Sequence, residues 1–409
     1  MYSQAARLCR ALILGGLLLL PACATSKTKP TVPGLSEYCQ LPAQPPDPSS
    51  GQDAFSEYAW ELFVALNWPA ATGMRGVPDC NAAFGSPGPS VWESYKTTDE
   101  LFLPDARDPG PWNTGWDATR GLTQTLRFVA KAPAELPVEE AIHQAVGGWL
   151  TDQKANPTYY QIAVDEVSYT YVRDNRYYNA DVVSKASRVS FPNDALEIKA
   201  SWRIMEGVDE SRYHTVQAEV MTFDDDGNPT GTYQEKTIGL VGLHIVYKPA
   251  GFPQWIWATF EQQDNAPDAA DTNGANDTWS YFNPQCSGPH CTPNISPLKS
   301  GQSFRTPNQL TRLSPIRPKT ADSNRKWQAM LAGTPFAFYQ LVSPQWPSDP
   351  NNPGNPQGSP TPGTVANITM ESYIQPTSSC MDCHSTARVP NGNIKSNYSF
   401  IFLFAKTPN

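Results

Sequence analysis

At 409 residues, with 39% hydrophobic and 11% aromatic content, the chain can bury a sizeable core and is long enough for two domains, although large β-rich folds reach this length as one. Forty prolines and 27 glycines against 17% charged residues favour a loop-rich, β-leaning fold. The net charge of −9, which becomes more negative if a leader carrying Arg7 and Arg10 is removed, argues against nucleic acid as a partner and suits a basic redox partner only weakly.

Residues 1–22 have the pattern of a signal peptide, with Arg7 and Arg10 ahead of the apolar run from Ala11 to Leu20, which is too short to span a bilayer. The run ends in Leu20-Pro21-Ala22-Cys23, similar to a bacterial lipobox, with Cys23 as the residue that takes lipid. Pro21 departs from the usual residue there, and ordinary cleavage near Ala22 or Ala24 is the alternative. Ala24, not an aspartate, follows Cys23, which implies an outer-membrane lipid anchor facing the periplasm or the cell surface. Residues 23–52 read as a flexible Pro-rich tether.

A mixed, partly helical region is expected over 53–150. Asp53 caps an amphipathic helix with Phe55, Tyr58, Ala59, Leu62, Phe63 and Leu66 on one face, and Trp68-Pro69 stops it. A Pro/Gly/Trp-rich loop surrounds Pro109 to Trp116, and a short helix containing His143 covers Val138 to Trp149. Residues 151–409 read as a β-rich domain. Strands are predicted at Tyr159–Val164, Leu196–Trp202, His214–Phe223, Ile238–Tyr247 and Trp255–Phe260, with a hairpin turn at Asp225-Asp226-Gly227-Asn228. Acidic loops follow over Gln262–Asp277, then a helix over Asn324–Leu331 and a structureless stretch from Ser343 to Thr364. The last element predicted is a strand, Tyr398–Ala405. The fold class expected is thus α+β and β-rich: an antiparallel sheet with flanking helices.

Eight cysteines can be apportioned. Cys9 leaves with the leader, Cys23 takes lipid, and Cys380 and Cys383 belong to a motif considered below. Cys39, Cys80, Cys286 and Cys291 remain, an even number with three possible pairings in an oxidising compartment. The turn-prone Ser287-Gly288-Pro289-His290 favours pairing Cys286 with Cys291, leaving Cys39 for Cys80. A metal site using His290 is the weaker alternative, for no acidic cluster is nearby in the sequence.

Cys380-Met381-Asp382-Cys383-His384 has the spacing of a c-type haem attachment site. Two thiols reach the two vinyl groups of one porphyrin, and the adjoining histidine ligates the iron as the proximal ligand. A thioredoxin-like pair or half a zinc site fits less well, since no βαβ pattern precedes the motif and no second C-x-x-C exists. Only 25 residues follow His384, too few for a helical cytochrome domain downstream, so one covalent haem c is expected to lie against the preceding β-rich body.

A β-sheet domain ending in C-x-x-C-H resembles the cytochrome P-four-sixty family and its relatives, the β-sheet cytochromes c-prime. The pieces of the resemblance run in order. They are a strand and tyrosine-containing turn (Tyr160 to Tyr171), Phe191-Pro192-Asn193-Asp194-Ala195-Leu196-Glu197-Ile198-Lys199, Gly242-Leu243-His244 with Lys248, Trp255-Ile256-Trp257, and Tyr398-Ser399-Phe400. The first 150 residues are not covered. The resemblance implies that Lys199 matches a lysine that cross-links to the porphyrin edge in hydroxylamine-oxidising members, and that His244 replaces a distal carboxylate. Alternation in the strand instead makes Lys199 a solvated residue on the face away from Leu196, Ile198, Ala200 and Trp202, and a lysine near the haem without a cross-link is the reading between them. His244, in a run of apolar neighbours, is either a satisfied core histidine or a group facing the iron, as sixth ligand or as a general acid or base. His214 is the next candidate, ahead of Met330 and Met370; His143 and His290 complete the histidines. Two functions follow: a lipid-anchored electron carrier for a periplasmic or outer-membrane redox partner, or a haem enzyme or small-ligand binder handling hydroxylamine, peroxide or nitric oxide. A lipoprotein that carries a haem only structurally is a third, weaker reading.

Overall fold

The computed structural model describes residues 34–115, 124–126 (backbone only), 148–272 and 278–408. The leader, Cys23, His143 and most of the helix expected at Val138–Trp149 lie outside these residues. No described helix is long and apolar enough to cross a membrane.

The chain is α+β, built on one large open sheet whose pairs are almost all antiparallel. Its path runs β1 (Lys96–Thr97), β3 (Tyr159–Val164), β4 (Ala195–Ile204), β6 (Pro229–Lys248), β7 (Ile256–Gln262), β8 (Tyr339–Pro347) and β9 (Pro360–Thr361). Strand β5 (Thr215–Phe223) pairs with the first half of the 20-residue β6 and, in parallel, with β2 (Gln124–Leu126). The β5–β6 hairpin turns where expected, with Asp224 accepting from Asn228 N–H through Oδ1 at 2.8 Å and Gly227 taking the left-handed conformation.

Strand periodicity gives the sheet two different faces. Leu196, Ile198, Ala200, Leu243, Ile245, Ala258 and Phe260 form one. Helix α1 (Gly51–Leu66) packs on it through Trp60 and Phe63, whose rings lie 4.9 and 4.3 Å from that of Phe260. A second long helix (Pro318–Met330) packs beside α1: Trp60 Nε1 donates to Asn324 Oδ1 at 3.0 Å, and Asn324 Nδ2 donates to Leu341 O on β8. The opposite face carries Ile162, Glu197, Lys199, His244, Val246 and Trp257, and the C-terminal segment lies over it. Both disulfides form as paired from the sequence, Cys39–Cys80 and Cys286–Cys291.

Several expectations need correction. Helix α1 starts at Gly51 behind Ser50, so Asp53 is a first-turn residue bridged to Lys319 at 3.1 Å and not the cap. The end of the expected tether is packed: Leu35 and Cys39 are buried, and the Tyr38 ring lies 4.9 Å from that of Trp327. The second long helix begins six residues earlier than predicted because Pro318 suits a first helical turn. The tyrosine-rich piece after β3 is a helix, Glu166–Asp174, capped by Asp165. Part of the stretch expected to lack structure is β8; Pro344 and Pro347 hid it, tolerated where only Trp346 and Pro347 pair onward to β9. The predicted strand Tyr398–Ala405 is instead a single 3₁₀ turn, Ile401–Phe404. Asn397 and Tyr398 have positive φ and turn the chain, and the adjacent residues Ile401 and Phe402 are both buried, which strand alternation does not allow.

Candidate functional site

The C-x-x-C-H residues form a short helix of their own, Cys380–His384, whose geometry follows from its two ends. Ser379 Oγ accepts from Asp382 N–H at 3.3 Å, and Gln345, buried on β8, accepts Met381 N–H at 2.8 Å while its amide donates to Ser379 Oγ. Met381 is buried, whereas Cys380 and Cys383, one turn apart, line a cavity with their thiols unpaired. Burial pushes both thiols up.

His384 is held from three directions. Its ring centre lies 4.4 Å from that of Trp257 on β7 and 4.9 Å from that of Phe400. Its Nδ1 donates to Tyr398 O at 2.7 Å, which leaves Nε2 as the acceptor nitrogen of the neutral ring, able to hold a metal. Burial lowers the imidazole to about 4, so it stays unprotonated at neutral pH. Tyr398 turns its carbonyl to the ring from the left-handed region (φ 70°), uncommon for a bulky residue. The preceding Asn397 fixes that turn: its Oδ1 accepts from Lys248 Nζ and Phe191 N–H, both at 3.0 Å, and its carbonyl accepts from Trp255 Nε1.

The cavity has a volume of about 390 Å³, within the range of small-molecule and cofactor pockets. Its apolar wall includes Ile162, Val246, Trp257, Ile374, Phe400 and Leu403, and its polar groups include Glu197, Lys199, His244, Glu371 and Arg388. Lys199 and His244 are direct cross-strand partners on β4 and β6. Lys199 is therefore on the face opposite Leu196, as alternation requires, but that face is covered and Lys199 is not a solvated residue. Burial lowers its amine, whose nitrogen lies 5.5 Å from the Tyr160 ring centre.

Glu371 was missed at the sequence level. It comes from the segment 367–374, fastened to the sheet where Asn367 Nδ2 donates to Thr259 Oγ1 and Phe260 O. Its Oε2 accepts Asn367 N–H at 2.8 Å and lies 3.5 Å from His244 Nε2, too far and poorly aligned for a hydrogen bond, so that nitrogen has no such partner. The carboxyl is lowered by the neighbouring His244 and Lys199 in spite of its burial. No local pattern marks a lone glutamate in a Thr-Met-Glu-Ser stretch; only the fold brings it to His244.

The remaining candidates lie elsewhere. His214 Nε2 pairs with buried Glu93 Oε1 at 2.8 Å and stacks on Phe336, a structural histidine away from the cavity. Met370 is fully buried, and neither it nor Met330 lines the cavity. Exposed His290 lies close to Cys286 and Cys291, whose sulfurs are bonded to one another.

The donor set fits a c-type haem: two free thiols one helical turn apart, an imidazole oriented by a carbonyl with its second nitrogen toward an apolar-walled cavity, and an orphaned polar nitrogen inside it. No family model, curated protein or solved structure matches the chain.

Proposed function

We propose that the chain is an exported c-type cytochrome holding one haem c through thioethers at Cys380 and Cys383, with His384 as the proximal iron ligand, and that its role is redox. The observation that carries this reading is the His384 Nδ1 bond to Tyr398 O, which aims the imidazole's other nitrogen into the cavity that both thiols line. A thiol adds across a vinyl C=C with no loss of atoms, so the two cysteines need only be reduced, accessible and correctly spaced. The bound haem supplies one-electron chemistry at its iron. The protein's part is to orient His384, keep it neutral and exclude water with Ile162, Val246, Trp257, Phe400 and Leu403. The leader and Cys23 support a lipid anchor, outer-membrane placement facing the periplasm, and a redox partner in that compartment.

A second reading, a haem enzyme or small-ligand binder of the cytochrome P-four-sixty type, draws support from the Glu371–His244–Lys199 grouping, which gives the cavity proton-handling side chains an electron carrier does not need. Expression with a bacterial haem-attachment system tests the main reading. The wild-type chain is expected to give a reversible, c-type reduced-minus-oxidised spectrum, and His384→Ala to retain covalent haem with an altered ferric spectrum. A spectrum unchanged by His384→Ala would contradict the ligand assignment.

A further inference from the structure

Beside the haem-motif cavity lies a second groove of about 510 Å³, lined among others by Arg188, Asn355, Gln357, Ser385, Lys395 and Tyr398. It is continuous with the candidate site through the chain itself: Ser385 follows His384, and Tyr398 supplies the carbonyl that His384 Nδ1 uses. Its floor is tied by Tyr398 Oη donating to Pro356 O at 3.2 Å and Gln357 Nε2 donating to Ser385 Oγ at 3.4 Å. The loop bearing Lys395 returns on the haem motif, where Arg388 and Lys395 pair backbone to backbone and Arg388 reaches the cavity wall.

The charge here is opposite to that of the whole molecule. Arg188, Arg388 and Lys395 are exposed, and no carboxylate forms an ion pair with any of them among the described residues. No acidic residue lines the groove; Asp382, on the exposed side of the haem-motif helix, is the acid acting on the Tyr398 hydroxyl. A chain of net charge −9 thus concentrates unpaired cations at the edge of its proposed redox centre.

We infer that this groove is the docking surface for a one-electron carrier protein with an acidic face, which exchanges a single electron with the haem beside His384. Opposite surface potentials steer such encounters and set their salt dependence, and the cations border the groove that shares Ser385 and Tyr398 with the surroundings of His384. The overall charge predicts the opposite partner, so the two expectations separate cleanly. The inference rests on the haem reading.

The test uses the full haem-loaded chain with two protein probes, an acidic ferredoxin and a basic mitochondrial-type cytochrome c, in binding calorimetry and stopped-flow electron exchange. The ferredoxin is expected to bind and exchange faster at low salt, and to lose about tenfold in both between low and physiological ionic strength. Arg188→Glu with Lys395→Glu is expected to weaken ferredoxin binding about tenfold while leaving the haem spectrum unchanged. Preference for the basic cytochrome, no response to the double substitution, or tighter binding to phosphatidylglycerol vesicles than to ferredoxin would overturn the docking proposal with the haem reading intact. Absence of covalent haem would overturn both.

Discussion

Glu197 carries a buried carboxyl on the cavity wall with one oxygen lacking a hydrogen-bond partner. Burial raises it to about 8 from an ordinary 4.5, against a hydrogen bond from Ser399, and nearby Asp165 adds to the rise. The folded chain keeps a proton there that the unfolded chain releases. Stability from this group is therefore full below pH 4.5 and is lost as pH rises through about 8, at up to about 1.4 kcal/mol per pH unit. Glu197→Gln is expected to match the wild type in thermal midpoint near pH 4 and to exceed it near pH 8.5; a variant less stable at pH 8.5 would show that the carboxylate is satisfied there. His244 poses the other question at this scale. In the open-site reading, His244, with Glu371 3.5 Å from its Nε2, would serve as a proton-handling group and not as the sixth iron ligand. His244→Ala is then expected to keep the ferric spin state and to weaken hydrogen-bonding iron ligands about tenfold, read by optical titration. A change from low to high spin would instead make His244 the sixth ligand.

At the scale of elements, the two disulfides differ in what they close. Cys39–Cys80 spans 41 positions and ties the start of the described chain to the loop after α1, whereas Cys286–Cys291 spans only 5. Chain entropy assigns about 4 kcal/mol to the first and about 2 to the second. Denaturant unfolding of Cys39→Ala/Cys80→Ala and Cys286→Ala/Cys291→Ala is expected to rank them so; equal losses would mean that strain or residual structure outweighs loop length. Legibility from sequence also divides by element. Strands β3, β4, β5 and β7 and helix α1 were readable within a few residues because their apolar spacing is set by burial on a sheet face. The C-terminal turn was not, since Tyr398, Phe400, Phe402 and Phe404 alternate like a strand while the left-handed residues Asn397 and Tyr398 break it. Composition cannot register that backbone choice. The same holds for β8, whose prolines argue against a strand that its place near the sheet's end permits.

For the whole molecule, the sheet explains why distant residues become neighbours. Lys199 and His244 meet because β4 and β6 pair in one register, and a one-residue slip of either strand would send its residue to the face that packs on α1 and part the two. Glu371 joins them from the connection before the C-x-x-C-H helix, and Gln345 on β8 holds that helix by accepting Met381 N–H, positions fixed by tertiary contacts and invisible to local pattern. The motif itself was legible in full, as five consecutive residues with a chemical spacing. Whether Cys380 and Cys383 carry haem is tested most directly by the intact mass of the protein, expressed with a bacterial haem-attachment system, after denaturation and acid–acetone extraction. One haem per chain, retained through extraction and lost in Cys380→Ala/Cys383→Ala, is the predicted result; a haem-free chain with Cys380 and Cys383 joined as a disulfide would contradict it.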